Sequence, residues 1–137
     1  MLLSNVDANL TAQPDGMFVS TEGMRTGRVQ LVEGVKEGFV ELEGTPDMVL
    51  EVVSTASVIK DLERLRDLYW QAGIPEYWLV DVRGERLTFE ILRHTAKGFV
   101  ATRNVGGWLK PSVFGKSFRL TRKMDEQGNP EYELAVK

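Results

Sequence analysis

Two apolar runs, "DMVLEVVS" (47–54) and "EYWLVDV" (76–82), flank a segment whose apolar residues recur at helical spacing. That arrangement limits the possible folds more than any other feature of the chain. In "SVIKDLERLRDLYWQAG" (57–73), Leu62, Leu65, Leu68, Tyr69 and Ala72 fall three or four residues apart and form one apolar face. Ser57 is placed as the N-cap, Gly73 supplies the residue just past the C-terminus, and Pro75 follows. Strand, helix and strand in this order make two parallel neighbours joined by a right-handed crossover, with the helix on one face of the sheet. The spacing therefore predicts an α/β (α+β) core with a mixed central sheet.

The other segments read as short strands. "PDGMFVST" predicts one at 17–20, "RVQLVEGV" and "FVELEG" two more, and "RLTFEILRH" a fourth. "KGFVATR", "GGWLK", "KSFRLTR" and "YELAV" follow as Gly-separated strands, which makes the C-terminal part a hairpin region. Gly23 and Gly27 bracket a turn, and residues 1–13 are polar and weakly patterned. A length of 137 residues fits a single domain over 1–137, with its core at about 14–120. The net charge of −3 gives no overall basic field to recruit nucleic acid, so such binding would depend on a local patch. The absence of cysteine excludes disulfides, thiolate metal sites and a Cys nucleophile. No apolar run approaches the ~20 residues of a membrane span, and "MLLSNVDANL" lacks the basic start and apolar stretch of a signal peptide. A cytoplasmic location with no membrane partner is the expectation.

Acidic residues carry the chemical signal. Glu51 lies inside an apolar strand, where an unpaired carboxylate is costly, and Asp47 opens the same strand with its side chain on the same face. Asp15 stands at the mouth of an earlier strand. If those strands pair, Asp15 and Glu51 converge, and two close carboxylates suit a hard cation such as Mg²⁺ or Mn²⁺. The alternative is that Asp47 only opens the strand and Glu51 faces a solvated or helix-covered edge.

The combination of "QPDGMFVS", "GTPDMVLEVVS", "KDLERLRDLYWQAGIPEYW" and "WLVD" resembles the Uma-two family, restriction-endonuclease-like proteins of the PD-(D/E)xK superfamily. "AGIPEYWLVD" is the most distinctive part. The resemblance implies a restriction endonuclease-like core in which Asp15, Glu51 and the Val52 backbone carbonyl hold Mg²⁺ (or Mn²⁺), with Asp47 as a secondary acid. It implies hydrolysis of phosphodiester bonds in a nucleic acid, most naturally DNA. The superfamily lysine two residues after the glutamate is Val53 here, as is usual for this family, whose lysine comes from the following helix; the departure is that this helix lysine, between Asp61 and Tyr69, is Leu65. Lys60 is the substitute assigned, to orient or deprotonate the attacking water. Arg64, one turn on, can stabilise phosphate charge but cannot carry a proton. The second reading is a catalytically degenerate member of the fold serving as a binding or structural module.

Family members carry a longer helical segment before the first Pro-Asp, so the N-terminal helical layer is expected to be missing or truncated. An uncovered sheet face would then favour a homo-oligomer. His94, the only histidine, is expected at the surface. The tryptophans and Tyr69 and Tyr77 are expected in the core rather than stacked on bases, and Glu76 is expected to bond backbone at the helix-to-strand turn. The basic tail around "RLTRK" (119–123) reads as a charged strand edge that is also able to touch phosphates.

Overall fold

The computed structural model describes residues 1–35, 38–54 and 59–137, without the side chains of 59–61. The Ser57 cap and the side chains of Lys60 and Asp61 therefore lie outside the described residues. The apolar run becomes strand β6 (Met48–Val53), and the second run becomes β7 (Glu76–Asp81); the two are parallel, with Met48 opposite Glu76 and Glu51 opposite Leu79. Helix α2 (Ile59–Gln71) joins them. It ends as the sequence requires. Gly73 adopts φ +77° and donates to the Trp70 carbonyl (3.0 Å), and Ile74 donates to that of Tyr69 (3.2 Å). This left-handed stop satisfies two of the last carbonyls and aims the chain back into β7.

The central sheet has the order β3 (Gly16–Phe18), β6, β7, β8 (Thr88–Thr95), β9 (Gly98–Ala101), and every pair except β6–β7 is antiparallel. Both of its faces pack against other elements, which explains why adjacent residues are buried in pairs. Val49, Tyr77 and Leu92 face one core with Tyr69 and Ile74. Trp78 and Ile91, one residue away, face a second with Leu109 and Phe118.

A second sheet has the order β2 (Leu10–Ala12), β1 (Leu2–Asn5), β5 (Phe39–Gly44), β4 (Val29–Glu33), and it adds Leu3, Leu10, Val29 and Leu42 to the first core. Residues 1–13, read from sequence as polar and weakly patterned, thus hold two strands. Asn5 disguises them, because this polar residue is buried and satisfied by the Gly44 carbonyl, the Thr45 hydroxyl and the Ala8 N–H. The turn expected around Gly23 is instead a short helix, α1 (Thr21–Arg25), capped by the Ser20 hydroxyl on the Gly23 N–H (3.1 Å).

Gly44 fixes the junction of this sheet with β6. It adopts φ +124°, and a Cβ there would overlap the Arg28 carbonyl oxygen, which accepts the Thr45 N–H. Gly44→Ala should therefore cost about 2 kcal/mol of stability, read as a lower urea midpoint with unchanged slope.

The third sheet has the order β10 (Asn104–Val105), β11 (Trp108–Leu109), β12 (Phe118–Met124), β13 (Pro130–Val136), and includes the expected C-terminal hairpin. Phe114 and Phe118 from this region close on Trp78, with ring centroids 5.7 and 5.0 Å away. They partly cover the face of the central sheet opposite α2.

Candidate active site

The site is set by where β3 leaves β6. Gly16 pairs with Leu50, so one step further along the antiparallel register places Asp15 opposite Glu51. The pairing stops there. The Val53 carbonyl accepts from the Val82 N–H on the β7 side (3.1 Å), so the amide and carbonyl of Val52 face the β3 side. Asp15 Oδ2 takes that amide at 2.6 Å and stands in for the missing strand.

Glu51 is buried beneath α2, and its Oε1 accepts from the Tyr69 hydroxyl at 2.6 Å. Its pKa is pushed up from the ordinary 4.5 to about 7. Burial is the main cause; the charge of Asp15 and a carboxyl–carboxyl contact with it add to the rise, against the stabilising Tyr69 bond. Asp15 and Glu51 thus face each other across the end of the β3–β6 register. Tyr69 is itself fully buried, and burial and Glu51 together raise its pKa, so it stays a neutral donor. Tyr77 packs at 5.5 Å from Tyr69 and is held neutral in the same way, first by burial and then by the charge of Glu51.

The structure separates Asp47 from this pair. Asp47 Oδ1 accepts from Arg28 (2.6 Å) and from the Ser20 N–H (2.9 Å), which ties the start of β6 to α1 and β4. Among the described residues no three His, Cys, Asp or Glu side chains gather as a metal cluster. Leu65 is half-buried against the first core, and Arg64 is exposed.

Tyr69 is a site-lining residue that sequence reasoning put in the apolar face and matched to the Tyr of the family's helix pattern, without a role beside the acids. A further signal was a hydroxyl on that face, which needs a buried partner. His94 also differs from its surface assignment. It stacks on Trp70 (5.4 Å), and its Nε2 lies 2.9 Å from the Trp70 carbonyl, at the C-terminal end of α2. Tyr69, Tyr77 and Trp78 lie in the two cores, while Trp108 carries Arg119 and Lys137 over its ring at 4.7 and 4.2 Å. Glu76 bonds backbone as expected, but that of Ser112 and Val113 rather than of the nearby turn.

Among the described residues no helix is long and apolar enough to cross a membrane. No curated protein matches the chain. A family model described as "Uma2: Putative restriction endonuclease" matches residues 3–122. That span runs from β1 into β12 and contains Asp15, Glu51, Tyr69 and the whole central sheet. The chain therefore belongs to the Uma2 family of restriction-endonuclease-like proteins.

Proposed function

We propose that the protein is a divalent-metal-dependent endonuclease acting on DNA, with Asp15 and Glu51 as its metal-binding carboxylates. The observation that supports this most is the strand register that sets Asp15 opposite Glu51 at the point where β3 leaves β6. Burying Glu51 beside the charge of the exposed Asp15 weakens the apo protein, and a cation between them would remove the penalty. The donor set fits Mg²⁺ or Mn²⁺. Such ions take one or two protein carboxylates and keep several waters, and the Val52 carbonyl faces the same side as a backbone donor.

When bound, the ion would acidify a water and offset charge on the phosphate. The chain's own groups have separate tasks. The Val52 N–H fixes one oxygen of Asp15, and the Tyr69 hydroxyl fixes one oxygen of Glu51, so the second oxygen of each is left to face the ligand. In the metal-free protein Glu51 is able to hold a proton near neutral pH, so loading of the site is coupled to its release. Lys60, on the first turn of α2, is assigned to orient the attacking water and offset phosphate charge, as the sequence suggests.

Nicking of supercoiled plasmid in Mg²⁺ or Mn²⁺ tests the reading. Asp15→Asn should lower the rate by about a thousandfold, while Asp47→Asn, which disturbs only the Arg28 anchor, should stay within about tenfold. Cleavage surviving in both Asp15→Asn and Glu51→Gln proteins would overturn the assignment. The second reading, a binding module on a nuclease fold, is favoured by Leu65 packing where the family places a lysine. Metal and DNA binding by calorimetry with no cleavage would select it.

A further inference from the structure

Away from the carboxylates, the molecule carries a long strand edge with an apolar face. β13 is bonded on one side only, to β12. Ser117 and Lys137 exchange both main-chain bonds, at 2.9 and 3.0 Å. The odd-numbered residues of β13 therefore turn their amides and carbonyls toward β12, and Tyr132, Leu134 and Val136 turn theirs outward. Among the described residues no strand pairs with that edge. These three residues are 43%, 47% and 53% exposed, on the hairpin face shared by Phe118 and Leu120. Leu134 also reaches an apolar groove of about 450 Å³ against Leu50, Trp78, Val80 and Phe89. Strand edges are normally kept short, bulged or covered, because they recruit another strand. At seven residues β13 is not short. It also lies beyond the residues matched to the family.

We propose that β13 pairs antiparallel with β13 of a second copy of this chain, about a two-fold axis at Leu134. Charge and the length paired select this register, since an axis at Ala135 also sets Glu133 opposite the partner's Lys137 but pairs only residues 133–137, against 131–137 here. With the axis at Leu134, Tyr132 lies opposite the partner's Val136, Glu133 opposite the partner's Ala135, and Glu131 opposite the partner's Lys137. An axis at Glu133 sets that carboxylate against its own copy and brings Pro130, which has no N–H, into a bonded position. An axis at Tyr132 sets Glu131 against the partner's Glu133 twice. Like charges directly opposite destabilise a strand pair, so both of these registers are disfavoured. In the Leu134 register Glu131 lies between Lys123 of its own chain, 3.7 Å away, and the partner's Lys137. On the other face Tyr132, Leu134 and Val136 of the two copies form one apolar strip beside the groove, and the two C-terminal sheets become continuous.

Sedimentation velocity on the full chain should give a dimer. Glu131→Lys should raise its Kd roughly tenfold, and adding Lys137→Glu to that variant should restore it. The chain has no cysteine, so Leu134→Cys introduces a single thiol facing its own copy, at a Cα separation a disulfide spans. Oxidation should cross-link Leu134→Cys efficiently and Glu133→Cys poorly. All these positions are exposed, and an unchanged circular dichroism spectrum checks that each variant folds. A monomer at high micromolar concentration overturns the proposal. So does a dimer that the charge swap fails to rescue, or one that cross-links preferentially through Glu133→Cys. None of these readouts depends on cleavage.

Discussion

Glu51→Gln should make the metal-free protein more stable than wild type at pH 8 by about 3 kcal/mol, and the same change should remove cleavage. The sign follows from the direction of the shift. The Glu51 carboxyl titrates at about 7 when folded and at 4.5 ordinarily, so between those values the native state binds the proton that the unfolded state has released. Wild-type stability therefore falls as pH rises from 4.5 through 7, and the contribution of this residue is flat on either side. An amide mimics the protonated carboxyl. Its oxygen still accepts from Tyr69, and its NH₂ is able to donate to Asp15, so the variant lacks this slope and differs little from wild type at pH 4. Urea denaturation of both proteins without metal, at pH 4, 6 and 8, isolates Glu51, because every other titrating group is common to the two curves. Parallel curves would rule out the buried, strained carboxylate on which the metal site is argued. Loss of function with gain of stability is the pattern expected where a protein keeps an unfavourable group for its chemistry.

How much of this was visible in the chain follows from where each signal resides. The parallel β6–β7 pair and α2 were legible because Val49, Val53, Leu65 and Tyr69 repeat with the right periods, and Gly73 marks the stop. The Asp15–Glu51 pairing was a conditional reading of the strand positions, which the family resemblance sharpened through the first Pro-Asp and the strand glutamate before Ser54; the register Gly16–Leu50 gives it a geometric cause. β1 and β2 were missed because strands of four and three residues offer too few alternations, and Asn5 hides one of them behind its hydrogen bonds. α1 was missed because five residues holding a glycine make no helical period; only the Ser20 cap announces it. The Tyr69–Glu51 bond depends on how α2 sits over β6, which no local pattern encodes.

Glu76 poses the same problem as Glu51, a carboxylate inside an apolar strand, and the structure solves it differently. It is 2% exposed and accepts three hydrogen bonds: Oε1 from Trp78 Nε1 at 2.7 Å, and Oε2 from the Ser112 and Val113 amides at 3.0 and 3.1 Å. Those amides belong to the loop that carries Phe114 and leads to Phe118, so one carboxylate ties the second core's covering layer to β7. Glu76→Ala leaves the buried Trp78 indole N–H and the part-buried Ser112 and Val113 amides without this acceptor and opens a cavity beside Trp78. The expected loss is about 4 kcal/mol, or roughly 15 °C in Tm for a domain of this size. The Ser112 and Val113 amides should lose their hydrogen-exchange protection, and Trp78 fluorescence should shift to the red as water reaches the ring. Glu76→Gln keeps one acceptor and should fall between the two proteins. Glu76 pairs across β6 with Met48, at the opposite end of the strand from Glu51, so DNA cleavage measured well below the lowered Tm should persist. A Tm within about 3 °C of wild type would show that the loop is held by Phe114 and Phe118 alone. A carboxylate at Glu76 would then be unnecessary for the fold, and its burial would have to be explained by a function of its own.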